Sequence, residues 1–155
     1  MKNLLALALL ALAATGCTTL PALDPNSDAG KAARNMEAPK DGAALYVYRD
    51  RSSDFGIYQL ILGVNDNDVI TAPACYTRFN LKPGTYHLEA HHPDLLAAQQ
   101  EMDVTVKPGD VKVLEFKPMA RFGLPGESKL LVQNAEGFSA LRDNQRLCIQ
   151  PTQNF

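Results

Sequence analysis

From Ala43 onward, apolar residues recur in short runs that turn residues separate. Ala43-Ala44-Leu45-Tyr46-Val47-Tyr48-Arg49 is apolar on both faces of an extended chain and rich in β-branched and aromatic side chains. It predicts a central strand of a packed sheet. Arg51 to Asp54 is a polar turn, and Ile57 to Val64 a second apolar strand. Asn65-Asp66-Asn67-Asp68 turns the chain into a short strand, Val69 to Ala72. After a break at Pro73 and Cys75, Tyr76 to Leu81 resumes β structure. In Thr85 to His92, Tyr86, Leu88 and Ala90 point one way, and Thr85, His87, Glu89 and His91 the other. That is a half-buried strand with a wet outer face. His92-Pro93-Asp94 breaks it, and Leu95 to Gln100 is a longer connection with room for one helical turn. Met102, Val104 and Val106 then alternate against Glu101, Asp103, Thr105 and Lys107. Val111 to Lys117 slips phase between Val113 and Leu114, which a bulge or two-sided burial would explain. Lys129 to Gln133 is the last strand. Gly137 to Gln145 predicts a short helix capped by Ser139 with Phe138 and Leu141 inward. Arg146 to Phe155 is a tail ordered only near Leu147, Cys148 and Ile149.

Lys82-Pro83-Gly84 and Lys107-Pro108-Gly109-Asp110 are reversal signals, since proline fixes φ and glycine accepts positive φ. They predict two hairpins. About seven or eight short strands at this spacing predict an all-β antiparallel sandwich with a short C-terminal helix. Upstream, Thr18 to Lys40 holds Pro21, Pro25 and Pro39 among small and polar residues. It reads as a tether spanning roughly 25–30 Å as a flexible coil. Asn26 or Ser27 could cap a short helix through Lys31, Ala33 and Met36, with a disordered spacer as the alternative.

Met1 to Cys17 differs from everything after it. Lys2 is a positive start, Leu4 to Ala14 is unbroken and apolar, and Ala14-Thr15-Gly16 leads into Cys17 with small residues. A run this short is a signal-peptide core; a bilayer-spanning helix needs about 20 residues. The organisation expected is a signal peptide over 1–16, a tether over 17–40 and a β-sandwich domain over 41–155.

The chain has 155 residues, a formal net charge of −2 and 46% apolar residues. Loss of residues 1–16 removes Lys2 and makes it one charge more acidic. That argues against a nucleic-acid partner, which would call for a basic face. Of three cysteines, Cys17 directly follows the signal, and Cys75 and Cys148 could form a disulfide in an oxidising compartment. Buried free thiols are the alternative. No Gly-x-Ser-x-Gly, phosphate-binding glycine loop, His-Glu-x-x-His or zinc-type cysteine pair occurs. The expectation is therefore no catalytic residue, no cofactor and no enzyme activity.

His87, Glu89 and His91 are weak metal candidates. They share one strand face, and neighbouring members can chelate. The two histidines are about 13 Å apart along a strand, too far for one ion to take both easily. No metal is expected there, and solvated side chains explain the pattern. Asn65 to Asp68 offers oxygens for calcium but lacks the glycine and terminal glutamate of an EF-hand loop, so a hairpin turn is the simpler reading. Tyr46, Tyr48, Tyr58, Tyr76 and Tyr86 could line a sugar or peptide groove, although strand tyrosines are more often core.

Ala14-Thr15-Gly16-Cys17 resembles the lipobox of bacterial lipoproteins, with Ala14 where that motif prefers leucine. The resemblance implies a diacylglyceryl group on the Cys17 sulfur, cleavage before Cys17 and acylation of the new amino group. Thr18, where retention in the inner membrane is associated with aspartate, implies the outer membrane, facing the periplasm. The chain also resembles bacterial lipoproteins that carry the domain of unknown function numbered 2846. That rests on Cys17, the segment Asp28 to Lys31, Ala44-Leu45-Tyr46-Val47-Tyr48-Arg49, Leu81-Lys82-Pro83-Gly84-Thr85-Tyr86, Val106-Lys107-Pro108-Gly109, and Ala140-Leu141 with Cys148. The Pro-Gly strands are similar to those of transthyretin-like and PEGA-type sandwiches. These resemblances imply a fold and a location but no chemistry. The function expected is a lipid-anchored, non-catalytic envelope protein, joined to the membrane through Cys17 and presenting loops or an edge strand to another envelope protein. The alternative is a module for glycan or a small ligand.

Overall fold

All seven residues of β1 (Ala43–Arg49) are buried, and both layers of the domain are built on this strand. Ala43, Leu45 and Val47 face a second sheet, whereas Ala44, Tyr46 and Tyr48 face two helices. The computed structural model describes residues 20–94, 96–143 and 145–148. Around β1 lie α1 (Asp28–Arg34), β2 (Leu60–Val64), β3 (Asn67–Thr71), β4 (Cys75–Leu81) and β5 (Gly84–Ala90). Then come β6 (Gln100–Val106), β7 (Val111–Met119), β8 (Glu127–Gln133), α2 (Ala135–Arg142) and β9 (Arg146–Leu147). One sheet has the order β8-β7-β1-β4-β9, the other β3-β2-β5-β6. The result is the β-sandwich that the strand pattern predicts.

Between the sheets, Leu62, Leu88, Leu114, Phe116 and Leu130 are buried with the inward residues of β1. Each such side chain contributes about 1.5–3 kcal/mol on burial. The outer side of the five-stranded sheet holds a second, smaller apolar cluster that the helices close. Phe138 of α2 sits among Tyr46, Tyr48 and Tyr76, with ring centroids 5.7, 5.1 and 5.5 Å away. The Tyr46 hydroxyl donates to the Ala33 carbonyl of α1 at 3.1 Å. Burial pushes the phenols of Tyr46 and Tyr48 up to about 12.

Arg49 ends β1 fully buried. Its Nη1 donates to the carbonyls of Tyr58 and Thr71 at 2.7 and 3.3 Å, and its Nη2 to that of Phe55 at 3.1 Å. Its guanidinium carbon lies 5.8 Å from the centroid of the Phe116 ring. Burial lowers its pKa to about 10, so it is still a cation at neutral pH. This explains why the second strand begins at Leu60 and not at Ile57. The carbonyls of Phe55 and Tyr58 bond to Arg49 and hold that segment as a loop.

Two further expectations are corrected. The sandwich is not antiparallel throughout, because β1–β7 and β4–β9 pair in parallel. The two Pro-Gly turns are not hairpin turns. β4 and β5 lie in different sheets, as do β6 and β7, so each turn carries the chain across the sandwich. The second turn delivers β7 beside the start of β1, where Gly109 N donates to Gly42 O at 2.8 Å and Ala44 N to Asp110 O at 2.9 Å. Both strands then run the same way. Gly109 has φ +84°, the conformation this turn requires of glycine. The phase slip in β7 is two-sided burial: Val113 lies under α2, and Leu114 and Phe116 point between the sheets.

The helix ends also differ. Asn134 caps α2, its Oδ1 accepting from Gly137 N. Ser139, expected as the cap, lies within the helix and donates to Ala135 O at 2.9 Å. Ser27 caps α1, accepting from Gly30 N at 3.0 Å. Residues expected to belong to a flexible tether thus lie on the domain: Ala33 is buried, and Arg78 Nη2 donates to Glu37 O at 2.6 Å. Ala22 bridges to Cys148. Cys148 is bonded to Cys75, with Cα atoms 5.7 Å apart, which staples β9 to the edge of β4.

Candidate functional site

The outer face of the four-stranded sheet is the chemically distinctive surface. Its strands β2, β3, β5 and β6 contain no lysine or arginine, yet they carry Asp68, Glu89, Glu101 and Asp103. Antiparallel pairing of β5 and β6 sets His87 opposite Asp103 and Glu89 opposite Glu101. Like charges directly opposite are destabilising. His87 offsets them. Its Nε2 is 3.6 Å from Glu89 Oε1 and 3.7 Å from Glu101 Oε2, and its Nδ1 is 2.8 Å from Asp103 Oδ1. An ionised carboxylate only accepts, so Nδ1 carries a hydrogen and Nε2 is the atom aimed at the glutamates. The Asp103 hydrogen bond raises the His87 pKa above its ordinary value against slight desolvation, and the charges of Asp103, Glu101 and Glu89 add to the rise.

The second sequence-flagged histidine joins the same group through Glu89. His91 Nε2 is 3.5 Å from Glu89 Oε2, so the glutamate stands between two imidazoles. Gly63 of β2 pairs with Glu89 on its other side. A Cβ there would lie 3.2 Å from Glu89 Cβ and 3.4 Å from His91 Nε2, so the glycine leaves room for both side chains over the strand. His87 Nε2 and one carboxylate oxygen from each of Glu89 and Glu101 lie within 4.8 Å of one another. Sequence reasoning found His87, Glu89 and His91 and missed Glu101 and Asp103. Strand alternation puts those two on the outer face of β6, but nothing in it fixes their register against β5.

Two other features stand out. At one end of the sandwich three loops are laced together. Asp54 Oδ2 accepts from Ala120 N at 2.8 Å, Asp94 Oδ2 accepts from Gly126 N at 3.3 Å, and the Phe55 ring packs edge-on against buried His92 at 4.9 Å. These loops expose Ile57, Leu96 and Phe122 by 86, 83 and 107%. A cleft of about 400 Å³ lies where α1, α2 and β9 meet, lined by Arg34, Tyr76, Arg142 and Arg146 with Asp143 and Gln145.

The remaining candidates separate. Cys17 lies outside the described residues. Asn65 and Asp66 form the β2–β3 turn, with Asn65 Oδ1 accepting from His87 N at 2.9 Å. Tyr46, Tyr48, Tyr76 and Tyr86 are buried, Tyr58 is half exposed, and only Tyr76 of the five lines the cleft. The tyrosines therefore share no single groove. Among the described residues, no helix is long and apolar enough to cross a membrane. No protein-family model matches the chain, and no curated protein matches it.

Proposed function

We propose that the chain is a lipid-anchored, non-catalytic protein of the bacterial cell envelope, held to the outer membrane through Cys17. It presents the laced loop end of its sandwich to another envelope protein. The observation that carries this reading is the exposure of Ile57, Leu96 and Phe122 on loops pinned by Asp54 and Asp94. Apolar side chains held in place at one end of a domain are ready to be covered. The signal-like stretch Met1 to Cys17 supports the anchor, as does the resemblance to lipoproteins with the domain numbered 2846. The Cys75–Cys148 bond supports an oxidising compartment. A photoactivatable residue at Phe122 should trap one protein in intact cells, and Ile57→Asp should abolish the adduct. Repeated absence of a specific adduct would contradict the docking role. Cys17→Ser should yield a soluble or unprocessed form; partition as a mature lipoprotein would contradict the anchor.

The cleft favours a second reading, a module that binds a small ligand or envelope glycan with an acidic group. Arg34 and Arg146 line one cavity with Tyr76, a match for a carboxylate or phosphate, beside an Arg142 that is already paired with Asp143. A thermal-shift screen with acidic sugars and cell-wall fragments tests it. A shift lost in Arg34→Ala supports the module, and no shift removes it.

A further inference from the structure

We propose that His87, Glu89 and Glu101 form a site for one divalent transition-metal ion of the zinc type, with Asp103 positioning the imidazole. The site does not depend on the anchor or on the loop end.

The geometry is that of a ligand set before it closes on an ion. Ligand atoms around a tetrahedral zinc with bonds of about 2.0–2.1 Å stand about 3.3 Å apart. His87 Nε2 is 3.6 and 3.7 Å from its two carboxylate neighbours, a few tenths of an ångström from that spacing, and all three ligand atoms lie within 4.8 Å of one another. All three side chains stand on paired strands in one register, which fixes their origins more firmly than a loop would.

The second ring nitrogen is also in use. Asp103 accepts from Nδ1 at 2.8 Å, which fixes the ring orientation and leaves the Nε2 lone pair for the ion. A carboxylate holding the far nitrogen of a ligating histidine is the usual outer partner in such sites. The charge arrangement points the same way. Glu89 and Glu101 face each other in four strands that have no lysine or arginine. A doubly charged ion relieves that repulsion more fully than one imidazolium does.

The ligand types choose the metal. An imidazole nitrogen with two carboxylates suits zinc and its neighbours, whereas calcium and magnesium take oxygen alone. His87, Glu89 and Glu101 are all partly exposed, so a fourth position stays open to water or to a donor from a protein on that face. Gly63 keeps the space above β2 that Glu89 occupies.

The test is calorimetric titration of the untagged, chelator-stripped full chain with zinc chloride in the presence of excess calcium and magnesium. One ion per chain should bind. His87→Gln and Glu101→Gln should each weaken binding by about tenfold or more, and Asp103→Asn by about tenfold. Asp103→Asn should also shift the His87 imidazole ¹⁵N signals in the metal-free protein, because the Nδ1–H form loses its carboxylate. Melting in chelator should not fall appreciably for these surface variants, which separates lost ligation from lost folding. The proposal is overturned by binding that His87→Gln leaves intact, by several weak ions per chain, or by calcium displacing zinc. It is equally overturned if His91→Gln removes binding and His87→Gln does not.

Discussion

The two sheets have opposite outer faces. On the five-stranded sheet the outward residues of β1, β4 and β7 include Tyr46, Tyr48, Tyr76 and Val113, and α1 and α2 cover them. On the four-stranded sheet the outward residues of β5 and β6 include His87, Glu89, Glu101 and Asp103, and they are partly or fully exposed. A strand apolar on both sides must be covered twice, and this chain places its two helices where β1 demands it. The other sheet needs cover on one side only. Its free side can hold charges that a buried face would exclude. The covered face adds to the stability of the core between the sheets, and the open face is where ligation chemistry is possible.

That contrast breaks first at Phe138. Phe138→Ala removes the ring that α2 inserts among three tyrosines and should cost about 3–5 kcal/mol, read as a lower urea midpoint. Zinc affinity should not change. Replacing both Cys75 and Cys148 by alanine frees β9 from the edge of the covered sheet. In the chain-entropy model a loop of this size is worth about 4 kcal/mol as an upper value, which a reducing agent should reproduce in the unsubstituted chain.

Alkaline pH should act mainly on the covered face. Tyr46 and Tyr48 hold their protons to about 12 in the folded chain, against about 10 when unfolded. Between those values the unfolded chain has fewer tyrosine protons, so stability falls as pH rises. Arg49 acts in the opposite sense, because the folded chain gives up that proton from about 10, and it offsets part of the loss. A urea midpoint that declines above about pH 10, and declines less in Tyr48→Phe, is the expected result. A smaller effect belongs to the caps. Ser27→Ala or Asn134→Ala should each cost about 1 kcal/mol. The smallest lies on the open face. Glu101→Gln removes a cross-strand like charge and should raise the melting temperature of the chelator-treated protein slightly.

Much of this was legible in the sequence. The two-sided burial of β1 follows from Ala43 to Arg49, and the wet face of β5 from the alternation of Thr85 to His91. The parallel pairing of β1 with β7 does not, because a Pro-Gly turn signals a reversal without saying which sheet receives the next strand. The docking of α1 is hidden by the three prolines around it, although Ser27 reads as a cap. For the site, the limit was register. A shift of two residues between β5 and β6 would keep every side chain on its face, yet it would part His87 from Asp103. Only the observed pairing puts Glu101 beside Glu89.

The division between the faces meets its most direct test in the imidazole ¹⁵N spectrum as zinc is added, because the chain's three histidines sit in three settings. His87 faces two glutamates, His91 one, and His92 is buried at the loop end. One equivalent of zinc should move the His87 Nε2 signal to saturation and leave His92 unmoved. A His87 signal that stays in place, or three signals that drift together without saturating, would contradict the assignment of the open face as a metal site.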